Sequence, residues 1–361
     1  MSSKRDRKRQ AILELLRGAS APVSSGHLSD QLTGRGFDVS ERTVRLYLAE
    51  LSAEGLTEPL GRRGHRLTEA GRCELKAATV FDRVGLLSAK IDEMTYRMDF
   101  DLATRRGRVV VNTSIAPVDA LLAGAESIGE VFARGYAMGE LMALLAPGER
   151  VGEVVVPEGR VGFCTVCSIT INGVLLKSGI PTRSRFGGLL ELVGGRATRF
   201  VELITYEGTT IDPLEVFIRS GMTDYLGAIS TGNGRVGAGF REIPAESRDT
   251  VVLLAERLRR VGLGAVLEVG WSGHPLFGIP VGQGHAGLVV VGGLNPVSIL
   301  EEMGHRVESR ALSGLLDFHR LFHYSELADR LAEMAPAGAA QAAALPRLPV
   351  AETLGTRRRH P

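Results

Sequence analysis

Long apolar runs are missing from this 361-residue chain: nothing approaches the roughly 18 to 20 residues that span a bilayer. The basic N-terminus leads into "AILELLRG", where Glu14 and Arg17 interrupt what would otherwise be the apolar centre of a secretion signal. A cytoplasmic protein with no membrane partner is expected. Cysteine is equally scarce, and Cys73, Cys164 and Cys167 are too few for a disulfide scaffold. Two of them form "CTVC" within "VGFCTVCSITI", a β-branched run that reads as one buried strand. Residues three apart on a strand point to opposite faces, which opposes both a disulfide and shared metal ligation, and no second CxxC exists. No Ser-His-Asp order can be recognised, so ordinary nucleophilic catalysis has no support.

A net excess of charge is also nearly absent, at +2, but its distribution is uneven. Residues 1–72 hold 13 Lys+Arg against 9 Asp+Glu, or +4, and the remainder holds 30 against 32, or −2. Positive charge is therefore concentrated at the N-terminus, where it suits contact with a polyanion. The same region shows Ile12, Leu15 and Leu16 at helical spacing, a second short helix with Leu28 and Leu32 inward, and a third that Ser40 caps. Val44, Leu48 and Leu51 form the apolar stripe of that third helix. "LTEPLGRRGHRLTEAG" follows as two extended pieces around a cationic tip. Three helices and a basic hairpin are the plan of a winged helix-turn-helix over 1–75, in which one helix fits the major groove and the wing neutralises phosphates. The candidate DNA contacts are Ser40, Arg42, Thr43, Arg45 and Tyr47 on the third helix and Arg62, Arg63, His65 and Arg66 on the wing.

The body, taken as 80–330, repeats itself. "GIPTRSRFGGL" from Gly179 matches "GIPVGQGHAGL" from Gly278, an offset of 278 − 179 = 99, while "GRV" recurs at 107 and 234 and proline at 117 and 244, both 127 apart. The difference of 28 predicts an insertion in the first copy near "YAMGELMALLAPGERVGEVVVPEG". Each copy shows an extended segment, a proline-started helix and further apolar strands, so an α/β body of two similar halves is expected. Residues 331–361, rich in Ala and Pro and ending near Arg357, Arg358 and Arg359, are expected to be a disordered tail.

Some motifs look chemical and are weak. "GNGRVG" satisfies GxGxxG, but an extended segment follows where a dinucleotide site needs a helix, so Asn233-Gly234 reads as a tight turn. His319 and His323 would share a helix face beside Asp317, with no third ligand at a recognisable spacing. In "TYEGTTIDPLEVFI", Asp212, Pro213 and Glu215 form a capping box, which gives the acids a structural role. Thr209 and Thr210 stand at the strand-to-helix corner before it, and Lys177, Arg183 and Arg185 surround a proline-stiffened turn. Those five are the candidate effector-binding residues, suited to a small anion, because guanidinium holds a carboxylate through two parallel hydrogen bonds. No cofactor is expected. An enzyme acting on a small carboxylate with an accessory winged helix is the alternative.

"RVGLLSAKIDEMTYRMDFD", "VCSITINGVLLKSGIP", "FGGLLEL", "YEGTTIDPLEVFI", "GMTD", "FREIPAE", "GIPVGQGHAGLVVVGGLNP" and "RALSGLLDF" resemble, in order over about 83–318, blocks of the sensor domain of the NrpR-type nitrogen regulatory repressors. The resemblance implies a homodimeric repressor on double-stranded operator DNA of nitrogen-assimilation genes, released by 2-oxoglutarate. It maps no residue onto the effector.

Overall fold

The computed structural model describes residues 4–19, 21–72, 74–75 and 86–334. The chain divides into two compact units, Met1–Val84 and Gly85–Pro361. Among the described residues no helix is long and apolar enough to cross a membrane.

In the first unit, α1 (Lys4–Gly18), α2 (Ser25–Gly34) and α3 (Glu41–Ala53) precede an antiparallel pair, β1 (Thr57–Pro59) and β2 (His65–Leu67), joined through a 3-10 turn at Gly61–Arg63. Ser24 and Ser40 accept from the backbone N–H groups of His27 and Thr43, satisfying donors that a helix start leaves free. Ile12, Leu16, Leu28, Leu32, Val44, Leu48 and Leu51 are buried together. Gly64 lets the wing dock: at φ +101° it brings His65 into two backbone hydrogen bonds with Val23, and a Cβ there would lie 2.3 Å from the Val23 carbonyl oxygen.

The second unit starts with α4 (Leu86–Arg97). It continues β3 (Arg108–Ala116), α5 (Val118–Ala133), β4 (Leu141–Leu145), a short hairpin β5 (Arg150–Val151) and β6 (Val154–Val155), β7 (Val161–Val166), α6 (Ile169–Lys177), β8 (Arg183–Val193) and β9 (Arg196–Thr205). Two short helices, α7 (Pro213–Arg219) and α8 (Tyr225–Thr231), lead into β10 (Gly234–Pro244), α9 (Arg248–Arg259), β11 (Val266–Val269), β12 (His285–Val291), α10 (Asn295–Glu302), β13 (Glu308–Asp317), β14 (Phe322–His323) and α11 (Leu327–Met334).

Two five-stranded antiparallel sheets result, ordered β13-β3-β7-β4-β14 and β11-β12-β10-β8-β9. The succession β3-α5-β4-β7-α6-β8 recurs as β10-α9-β11-β12-α10-β13. In each half the third strand inserts between the first and the second, and the fourth strand leaves to pair with the other half: β8 lies on β10, and β13 on β3. The halves thus exchange strands reciprocally around a shared interior.

This topology corrects the spacing inferred for the repeat. Equivalent strands begin 234 − 108 = 126, 285 − 161 = 124 and 308 − 183 = 125 residues apart, close to the 127 seen between prolines. The match at 99 joins the approach to β8 with the approach to β12, which are not equivalent, and the connections 146–160 and 270–284 are the same length, so the first copy carries no 28-residue insertion. Three local expectations also change. "VGFCTVCSITI" is not one strand, because β7 ends at Val166 and α6 begins at Ile169; Thr170 Oγ1 bonds both the N–H and the carbonyl of Val110, and that tertiary clasp overrides β-branched preference. His319 and His323 are not on a helix but on a 3-10 turn and on β14. α11 runs to Met334 with Leu327 and Leu331 buried, so ordered chain passes the expected tail boundary at 331. Residues 335–361, including Arg357, Arg358 and Arg359, and Cys73 lie outside the described residues.

Candidate functional site

On the first unit, Ser40 closes the start of α3 and also bonds the Thr43 hydroxyl. Arg42, Arg45 and Leu46 are exposed on that helix, while Tyr47 is half-buried against the core. Arg45 donates to Glu41 at 2.6 Å and to Ser25 Oγ at 3.2 Å, and the Ser25 hydroxyl donates to Glu41 at 2.9 Å; the bonds to Glu41, Arg45's first, pull its carboxyl below its ordinary pKa. On the wing, Arg66 pairs with Glu58 at 2.7 Å. His65 is half-buried with Nδ1 3.5 Å from Ser52 Oγ, and burial lowers its pKa. Burial favours the uncharged ring there, so His65 is a poorer phosphate partner than the exposed arginines. Arg42, Arg62 and Arg63 remain exposed with no carboxylate partner among the described residues. Leu46, 59% exposed one turn beyond Arg42, escaped the sequence reading although the i, i+4 spacing points to it. An apolar side chain on that face suits a thymine methyl.

The five residues expected to hold an effector do not form an open anion site. Lys177 Nζ donates to the Phe100 carbonyl at 3.0 Å, fastening the end of α6. Arg183 pairs with Glu207 and Arg185 with Glu242. Thr209 Oγ1 donates to the Ile211 carbonyl and accepts from the Ile211 N–H, folding its own turn, while Thr210 is exposed. The capping box is half realised. Asp212 accepts from the Leu214 N–H, but Glu215 reaches away, accepting from the Ala311 N–H of β13 at 2.6 Å.

A different cluster gathers between the sheets. Arg241 on β10 is 1% exposed, the largest fully buried side chain in the molecule's described part. Its Nε donates to Asn172 Oδ1 at 2.7 Å, one terminal nitrogen to Ser168 Oγ at 2.9 Å and the other to the Gly239 carbonyl at 3.4 Å. All three partners are neutral, and burial lowers the guanidinium pKa. Gly239, two residues earlier on the same side of the strand, gives it room: a Cβ there would stand 3.0 Å from the guanidinium and 3.3 Å from the Tyr206 hydroxyl.

Gly239, Ser168 and Tyr206 line a small cavity of about 20 Å³ together with Asn112, Cys167, Asp212, Leu312 and, from α4, Ile91. Burial pushes the Cys167 thiol up to about 12 and the Asp212 carboxyl up to about 6. Leu312 has φ +49° within an irregularity of β13, in a region that non-glycine residues rarely adopt, and its N–H is held by Asn112 Oδ1. Strained backbone at Leu312 and the raised thiol and carboxyl of Cys167 and Asp212 meet around this one void, a combination found more often at functional sites than in plain packing.

Comparison with known proteins bears on both units. Residues 84–323 match the NrpR regulatory domains NRD1 and 2, and residues 10–75 match the ribonuclease R winged-helix domain. The global nitrogen regulator NrpRI of Methanosarcina mazei is 33% identical over 316 residues, covering 88% of this chain and 97% of that protein. The global nitrogen regulator NrpR of Methanococcus maripaludis is 33% identical over 306 residues, 85% of this chain and 53% of that protein, so the chain spans about half of that longer relative. The crystal structure of a nitrogen repressor-like protein from Methanococcus jannaschii shares the fold at a TM-score of 0.55 and 24% identity, over 65% of this chain and 97% of that one. A winged helix followed by a strand-exchanged sensor, matched along most of its length by these relatives, belongs to the NrpR family.

Proposed function

We propose that the chain is a transcriptional repressor of nitrogen-assimilation genes that holds operator DNA as a homodimer and releases it when 2-oxoglutarate binds the sensor unit. The observation that carries the DNA part is the set of exposed, unpaired guanidiniums Arg42, Arg62 and Arg63 on α3 and the wing tip. Cations already paired with carboxylates gain little from phosphate, whereas free ones release condensed counterions on binding. The nitrogen connection rests on the relatives, which are named regulators and not enzymes, and this sets aside the enzyme alternative. Such a repressor acts on DNA in the cytoplasm.

The coupling is linkage: the effector favours an arrangement of the dimer that does not fit two half-sites about 34 to 36 Å apart. A coupling of about 1 to 3 kcal/mol changes operator affinity roughly 5- to 150-fold. Gel shifts on promoter fragments of nitrogen-assimilation genes, with and without 2-oxoglutarate, test both parts. Affinity that stays constant up to millimolar effector rejects 2-oxoglutarate, and failure to shift any fragment in low salt rejects the repressor itself.

A further inference from the structure

We infer that the groove between α9 and β11 is the face through which two copies of this chain meet, each seating Trp271 in the groove of the other. The inference rests on the homodimer reading above and names the surface on which it depends.

Trp271 is the only tryptophan in the chain, stands just past the end of β11 and is 64% exposed. It is nonetheless held in place. The Arg248 guanidinium lies 3.6 Å from the ring centroid and is itself pinned, Nε donating to the Gly270 carbonyl at 3.0 Å and a terminal nitrogen to Asp249 at 3.0 Å. Cation–π attraction thus fixes the ring while most of it stays in solvent. An aromatic side chain that is already fixed loses little entropy on association, and tryptophan and arginine are enriched in the few residues that dominate protein interfaces.

Beside this knob lies a hollow. A groove of about 360 Å³ runs between α9 and β11, with Val252 and Ala255 on its helical wall and Val266 and Leu267 on its strand wall. Leu267 is the extra residue where the register of β11 on β12 shifts, a bulge that spoils this edge for adding a strand, so contact here is made by side chains. Arg259 rims the helical wall and Glu268 the strand wall; both are exposed, and neither has an oppositely charged partner among the described residues. A knob, a hollow and one free charge of each sign on opposite walls make the face complementary to itself. A twofold axis that puts each Trp271 into the facing groove sets Arg259 against Glu268 of the partner subunit.

The equivalent face of the first half is closed. There β4 carries β14, and α11 lies on α5 with Leu327 and Leu331 buried and Tyr324 stacked 5.0 Å from Phe132. The chain covers that copy with its own later segment, whereas among the described residues nothing covers the second. With one such face per chain, the assembly closes at two copies.

Sedimentation of the full chain over a dilution series, read beside Trp271 emission, tests this. The expected result is a dimer whose emission moves to the red as it dissociates, and which Trp271→Ala weakens at least about tenfold. Arg259→Glu opposes carboxylates across the contact and should weaken the dimer roughly tenfold, while adding Glu268→Arg reverses both signs and should restore it. Both charged residues are exposed and unpaired, so these reversals leave the fold intact. A parent that is monomeric at every concentration overturns the inference together with the homodimer reading. A dimer that Trp271→Ala and Arg259→Glu leave unchanged, with the emission of an exposed tryptophan throughout, overturns this face and leaves the homodimer standing. Failure of the double reversal to restore what Arg259→Glu loses overturns the twofold pairing of the two walls.

Discussion

Asp212 serves α7 as a cap while being partly withdrawn from water. Burial, and then the charge of Glu215, outweigh the Leu214 N–H that stabilises its ionised form, so its pKa stands at about 6 against an ordinary 3.8. Lys90 pulls slightly the other way, and the Cys167 thiol and Tyr206 hydroxyl beside it stay protonated. Between about pH 4 and 6 the folded chain keeps a proton that the unfolded chain has released, so stability falls as pH rises through that window and levels off above it. Asp212→Asn keeps a competent cap and removes the titration. Its stability advantage over the parent should grow from pH 4 to pH 6 and then stay constant, at on the order of 1 to 3 kcal/mol, in melts across a pH series. An advantage independent of pH would contradict the raised pKa. On the wing, Arg62→Ala and Arg63→Ala should each flatten the log-log salt dependence of operator binding by about one unit. Arg66→Ala should flatten it less, since Glu58 already holds that guanidinium.

At the scale of elements, the bond from Ala311 to Glu215 stitches α7 to β13. Glu215→Ala leaves a half-buried N–H unpaired and should cost about 1 to 3 kcal/mol in urea unfolding of the sensor unit, while Glu215→Gln, which retains an acceptor, should cost less. Elements whose signals are local were legible in the sequence: the Ser40 and Asp212 caps, the wing, the strands that hold "GLLELV" and "GLVVVGG". Elements decided by distant partners were not. Nothing near Cys167 announces that Thr170 will clasp Val110, 60 residues away, and end a β-branched run. Arg183 and Arg185 looked available because their acids, Glu207 and Glu242, lie 24 and 57 residues off along the chain. Arg241 carries no local signal in the sequence, and only the alternation of β10, together with Arg185 across the sheet, shows that the neighbouring Glu242 serves another cation.

Taken as a whole, the sensor unit cannot be cut between its copies without leaving each piece incomplete. A polypeptide carrying residues 85–233 alone has a bare β3 edge where β13 belongs, and a β8 with no β10 to lie on. Such a fragment should elute from size exclusion as a dimer, β8 of each molecule completing the sheet of the other; a folded monomer would argue against this. Joining the halves in one chain makes a single folding event of what separate halves could reach only by meeting, and so removes its dependence on concentration.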